Sequence, residues 1–318
     1  MLIDPVDRPR SKEIIVSIQS PTLLPLTAGS AELIVSPRIG GAIVAYRDRR
    51  DGQFINWMRP VSDESVAAGS VSAMASFPLI PWSGRLRGGT CMFNGQRITV
   101  PASPQCAPHT IHGLARYQPW EVVSADAQRA LLRYSHAAGD WPFSFVAEQE
   151  FVLTEQSLSL TTRLHNTSSR PMPFGLGHHP YFSRNEHTRL TTEVGQAWFS
   201  DNEVMPLYIA DHPVTKHLAQ GIRINDYVMD NAFLNWSHRA KIEWPDQGRS
   251  LTISATAPLD FLVLFSPPDV DWFCVEPVSN TTDSFNLVRD YSRSEVGGGV
   301  LEADESTETT MVLTTAFA

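Results

Sequence analysis

Ser157-Leu158-Ser159-Leu160-Thr161-Thr162-Arg163-Leu164 is the stretch on which the fold class turns. Leu158, Leu160 and Leu164 alternate with Ser157, Ser159, Thr161 and Arg163. Successive side chains of a strand point to opposite faces, so this pattern predicts a half-buried strand. Working outward, Phe143, Phe145, Ala147, Phe151 and Leu153 share one face of a second candidate strand. Leu251, Ile253, Ala255 and Ala257 alternate with Ser250, Thr252, Ser254 and Thr256 in a third. Phe261 to Phe265 is a nearly continuous apolar run, which reads as a strand buried on both faces. Helical periodicity is scarce, and one short helix is expected around Ser62 to Ala68. The 19 glycines and 23 prolines punctuate these runs at short intervals. The reading is all-β: one large antiparallel sandwich over residues 13–318, with few short helices and residues 1–12 as a loose lead-in. No 20–50-residue repeat or linker divides the chain.

Composition narrows the function classes. The formal net charge is −9 over 318 residues and no Lys/Arg-rich run occurs, so nucleic acid is not an expected partner. No stretch approaches 18 uncharged apolar residues, so no membrane partner is expected either. Met1 to Lys12 carries charges and prolines without an apolar signal core, which with three widely spaced cysteines (Cys91, Cys106, Cys274) predicts a reduced, cytoplasmic protein. Asn166, Asn235 and Asn280 head glycosylation-type triplets that this reading treats as chance matches.

Five segments carry polar residues that an all-β core does not require. The first is Pro81-Trp82-Ser83-Gly84-Arg85-Leu86-Arg87, before a hairpin whose turn is Asn94-Gly95. An exposed Trp82 beside Arg85 would suit a sugar, its indole packing on C–H groups while the guanidinium meets hydroxyls; the plain alternative is a solvated turn arginine. The second, His109-Thr110-Ile111-His112-Gly113, has histidines at i,i+3, but Pro108 and Gly113 argue against the helix that a metal pair would need. The third is Gly175-Leu176-Gly177-His178-His179-Pro180-Tyr181-Phe182, where only one of the adjacent histidines can enter a given pocket. Asp230 in the fourth reads equally as an Asx-turn residue. In the fifth, Trp272-Phe273-Cys274-Val275-Glu276-Pro277, a lone carboxylate interrupts an apolar strand and must be hydrogen-bonded, paired or functional. Cys274 would share its face. From the residues alone, a metal site, an acid–base pair and unrelated surface groups all stay open.

Taken in order, these segments resemble the aldose 1-epimerase (galactose mutarotase) family from about Gly40 onward. The resemblance rests on Gly84-Arg85-Leu86 with its hairpin, His112-Gly113 before Trp120, His179-Pro180-Tyr181-Phe182, Asp230 with Phe233, and Glu276-Pro277 with Phe285-Asn286. It implies a β-supersandwich and epimerisation of a small sugar without cofactor or metal, by a monomer or homodimer. His179 then resembles the general acid and Glu276 the general base, while Arg85, His112 and Asp230 resemble the groups that hold sugar hydroxyls. Gly84 departs from the family's usual Asn, so a galactose or glucose preference does not carry over. Rival readings are a non-catalytic sugar sensor on the same fold, a metal-dependent isomerase or lyase using His109, His112, His178, His179 and Glu276, and an epimerase of sugar phosphates that employs Arg87.

Overall fold

Residues 22–318 are described by the structure, a computed structural model; the expected lead-in over residues 1–12 and the start of the domain at residue 13 lie outside the described residues. The quoted stretch lies in the strand Ser157–Asn166, whose alternate residues from Leu158 to Asn166 are buried. It runs antiparallel between Phe145–Leu153 and the long C-terminal strand Ser306–Phe317, in the middle of a nine-stranded sheet. Phe145, Ala147, Phe151 and Leu153 turn inward there, as expected, and Leu251 and Ile253 do so from Arg249–Ala255.

The second large sheet has eight strands and holds Met229–Phe233, Phe261–Ser266, Trp272–Val278, Gly177–His178 and Tyr181–Ser183. Its neighbours pair antiparallel, with Val263 opposite Glu276 and Phe265 opposite both Cys274 and Asp230. One apolar cluster joins the two sheets. It contains Phe145, Leu160 and Leu164 from the first and Leu262, Leu264, Phe273 and Val275 from the second. Burial of this kind, worth about 25 cal/mol per Å² of apolar surface, is what holds the layers together. A four-stranded sheet over residues 24–56 completes the scaffold.

Because Leu262 and Leu264 face that cluster, Val263 and Phe265 face the opposite side, where a second cluster gathers Phe77, Leu79, Tyr181, Trp198 and Cys274. The continuous apolar run at Phe261–Phe265 is thus fully covered on the core face and only partly on the other, where Val263 and Phe265 stay partly exposed. The described residues contain four α-helices, none longer than five residues. The expected one spans Asp63–Ala67, capped by Ser62, whose hydroxyl accepts from the Ser65 amide at 3.2 Å. No helix among the described residues is long and apolar enough to cross a membrane.

Candidate active site

The second face of the eight-stranded sheet is the floor of a cavity of about 220 Å³. Residues from three long-range segments line it: Arg85 and His112 from the loops around residues 83–116, His179 and Tyr181 from the histidine segment, and Asp230 and Glu276 from the floor. All five residues expected at the site, His179, Glu276, Arg85, His112 and Asp230, are thus brought together.

Glu276 is 2% exposed and His179 is 6% exposed, with Nε2 of the histidine 3.5 Å from Oε1 of the glutamate. Burial pushes the Glu276 carboxyl well above the ordinary carboxylate value, and the charge of Asp230 adds to the rise while Arg116 opposes it. The same burial holds His179 well below the usual imidazole value, helped by the charges of Arg116 and Arg59. Both shifts favour the uncharged forms, a protonated carboxyl and a neutral imidazole. Tightly coupled groups of this kind titrate as a pair.

Gly84 and Gly113 place His112. The histidine sits at φ 62°, and its Nδ1 accepts from the Gly84 amide at 3.2 Å. Nδ1 is consequently the unprotonated nitrogen, and Nε2–H is free to donate into the cavity. Burial, followed by the charges of His179, Arg116 and Arg85, keeps His112 neutral. Asp230 opens to the lumen but is enclosed by protein on its other sides; that enclosure raises its carboxyl, and the Arg85 charge works against the rise. It lies in the strand Met229–Phe233, so the Asx-turn alternative does not hold. Arg85 is anchored through Nη1 on the Glu203 carbonyl, and its Nε is buried with no partner among the described residues.

Several expectations need correction. Trp82 is not exposed: at 2% exposure it packs against Trp141 and Phe285, leaving Phe77, Tyr181 and Phe265 as the aromatic walls of the cavity. The chain turns between Trp82 and Arg85, so neighbours in sequence face different interiors. His109 does not join His112; its Nδ1 accepts from the Gly88 amide at 2.9 Å. His178 points into the core, where Nε2 lies 3.1 Å from Thr162 Oγ1. The five-residue metal set of the rival reading is therefore not assembled. His179, Cys274 and Glu276 do present ligand atoms within 4.8 Å of one another. The charges of Arg116 and Arg59 act on the same histidine and oppose a further cation there. Arg87 is held by Asp283, Nε to Oδ2 at 3.2 Å, and is not among the cavity-lining residues. Asn166 and Asn280 are buried and hydrogen-bonded, unlike glycosylation acceptors.

Gly84 occupies φ 71°, and a Cβ there would lie 2.5 Å from Thr282 Oγ1 and 2.9 Å from Thr282 Cα. An asparagine does not fit this backbone without displacing Thr282. Sequence reasoning missed Arg116, Arg59 and Phe77. An arginine in Gly113-Leu114-Ala115-Arg116 reads as a solvated turn residue, and nothing local to it reveals that it is 2% exposed.

The aldose 1-epimerase family profile matches residues 22–314. The chain belongs to the aldose 1-epimerase family. It is 27% identical over 302 residues to the uncharacterized protein YphB of Escherichia coli (strain K12), covering 92% of this chain and 98% of that one. A crystal structure of a putative aldose 1-epimerase from Escherichia coli K12 superposes with a TM-score of 0.82 at 26% identity, covering 93% and 99% of the two chains. A galactose mutarotase-like protein from Clostridium acetobutylicum also gives 0.82, at 20% identity over 93% and 95%, and shares the fold. As a member of this family the protein is a sugar epimerase or mutarotase.

Proposed function

We propose that the protein interconverts the α and β anomers of a free aldose, with His179 and Glu276 as the acid–base pair and Arg85, His112 and Asp230 holding hydroxyls. The observation that carries this reading is the 3.5 Å separation of His179 Nε2 and Glu276 Oε1 at the floor of a cavity whose largely apolar walls carry a few charged and polar groups. Ring opening takes a proton from the anomeric hydroxyl and gives one to the ring oxygen. Those two oxygens share one carbon, so acid and base must be close neighbours.

An incoming pyranose offers hydroxyl donors to Glu276 and a ring-oxygen acceptor to His179. Each contact favours the charged form of its group, and together they move the pair's proton from the carboxyl to the imidazole. The carboxylate then takes the anomeric proton, the C1–O5 bond breaks, and the imidazolium protonates O5. Rotation about C1–C2 presents the other face of the aldehyde. O5 closes on it, returning its proton to His179, and the new anomeric oxygen recovers the proton held by Glu276. Every proton is accounted for by these two residues, so the scheme calls on no cofactor. Free, largely buried thiols at Cys91 and Cys274 support a reducing, cytoplasmic setting, in which the protein works as a monomer or homodimer.

Polarimetry of freshly dissolved aldoses tests the proposal. We expect faster approach to anomeric equilibrium with the wild-type protein and near-background rates with His179→Gln and Glu276→Gln. A protein that binds sugars but leaves every rate unchanged would be a sensor and not an enzyme.

A further inference from the structure

The His179 imidazole is sandwiched. Its centroid lies 4.6 Å from that of Tyr181, with the planes 16° apart, and 4.7 Å from that of Phe77. A guanidinium packs on each of these rings: Arg59 at 3.6 Å from the Tyr181 centroid, and Arg116 at 4.2 Å from that of Phe77. Both arginines are tied to the same short segment. Arg116 Nη2 donates to Ser72 Oγ at 2.7 Å, and Arg59 Nη2 donates to the carbonyls of Ser72 at 3.1 Å and Met74 at 2.8 Å. Arg116 is 2% exposed, its Nε is without a partner, and neither arginine forms an ion pair among the described residues. Burying a guanidinium without a carboxylate is expensive, and a fold keeps such a group where its charge or shape is used.

We propose that Arg59 and Arg116 are positioning residues: packed on Tyr181 and Phe77, they fix the imidazole against Glu276 and place two positive charges beside the pair. The inference rests on the acid–base reading of that pair. Glu276 and Cys274 face His179 from the floor strand, and His112 approaches at 5.2 Å between ring centroids from the adjoining loop. Tyr181 and the two arginines complete the surroundings, with Asp230 acting on Glu276 from the neighbouring strand. Both cations oppose the imidazolium, and Arg116 also favours the Glu276 carboxylate, so the titration of the pair lies lower than it would without them.

The test compares Arg59→Met, Arg116→Met and Arg59→Lys with the wild type. Removing the Arg116 charge is expected to shift both limbs of the pH dependence of kcat/KM upward by about one pH unit, and removing that of Arg59 to shift the histidine limb in the same direction. The His179 ring titration, followed by NMR of histidine-labelled protein and assigned with His179→Gln, should move in the same direction. Arg59→Lys keeps the charge and loses the planar stack, so its limbs should stay near wild type while its rate falls. Rates reduced equally at every pH, with the titration of His179 unmoved, would overturn the inference and leave the arginines purely structural. Arg59 is only half-buried, so Arg59→Met supplies the answer if Arg116→Met does not fold. The ring titration does not depend on turnover, so a wild-type protein without epimerase activity would defeat the functional reading and still leave the charge coupling measurable.

Discussion

At Glu276 the demands of stability and of the proposed chemistry point in opposite directions. Its carboxyl is buried and its proton affinity raised, so the folded protein holds a proton that the unfolded chain releases near the ordinary value of 4.5. Native protein then binds more protons than unfolded protein above that pH, and stability contributed by this residue declines as pH rises toward the raised folded value. Glu276→Gln removes the titration while keeping the shape. We therefore expect its melting temperature to match or exceed wild type, with the advantage growing from pH 5 to pH 8. Turnover should fall about a hundredfold or more with a smaller change in KM. A destabilised variant with normal turnover would make Glu276 a structural carboxylate. For His179→Gln the expected loss is about 10²–10⁴-fold in turnover with sugar binding largely kept, measured by polarimetry and calorimetry. His178→Ala should cost far less activity, since that ring serves the core contact with Thr162.

Among the elements, loops rather than strands decide the shape of the cavity. Gly113 follows His112 at φ 67°, and a Cβ there would lie 1.9 Å from the Ile80 carbonyl oxygen. Gly113→Ala is therefore expected to lower stability by at least about 1–2 kcal/mol and to raise KM by misplacing the His112 donor. Thermal melts and sugar-dependent kinetics on one preparation check both effects. Strands were legible in the sequence because alternation is a local property: Leu158, Leu160 and Leu164 reveal their face without reference to any partner. The Cys274–Glu276 face was legible on the same ground, and so was the Asn94-Gly95 turn, both of whose residues adopt positive φ. The direction of a side chain in an irregular turn has no such local signature, and Trp82 was misplaced for that reason. Arg116 was missed because its surroundings, Phe77 and Ser72, come from more than thirty residues away.

For the whole molecule, the contact between Thr162 and His178 links the nine-stranded sheet to the strand segment that leads into the site. Thr162 lies between Leu160 and Leu164 on the inward row, and its hydroxyl is the partner of Nε2 on a buried imidazole whose Nδ1 has none among the described residues. Thr162→Val should lower stability by about 1–3 kcal/mol, the cost of a buried polar group left unsatisfied. Turnover of the remaining folded protein should change little; a large loss of turnover would show that strain in this layer reaches His179. The floor strand Trp272–Val278 has a further consequence, because it gives Phe273 and Val275 to the central core, Cys274 to the second apolar cluster and Glu276 to the cavity. Its backbone cannot loosen on one side and stay fixed on the other. In urea, loss of epimerisation and loss of tryptophan fluorescence should therefore trace one sigmoid with a common midpoint, and the Val275 and Glu276 amides should exchange with deuterium only through global opening.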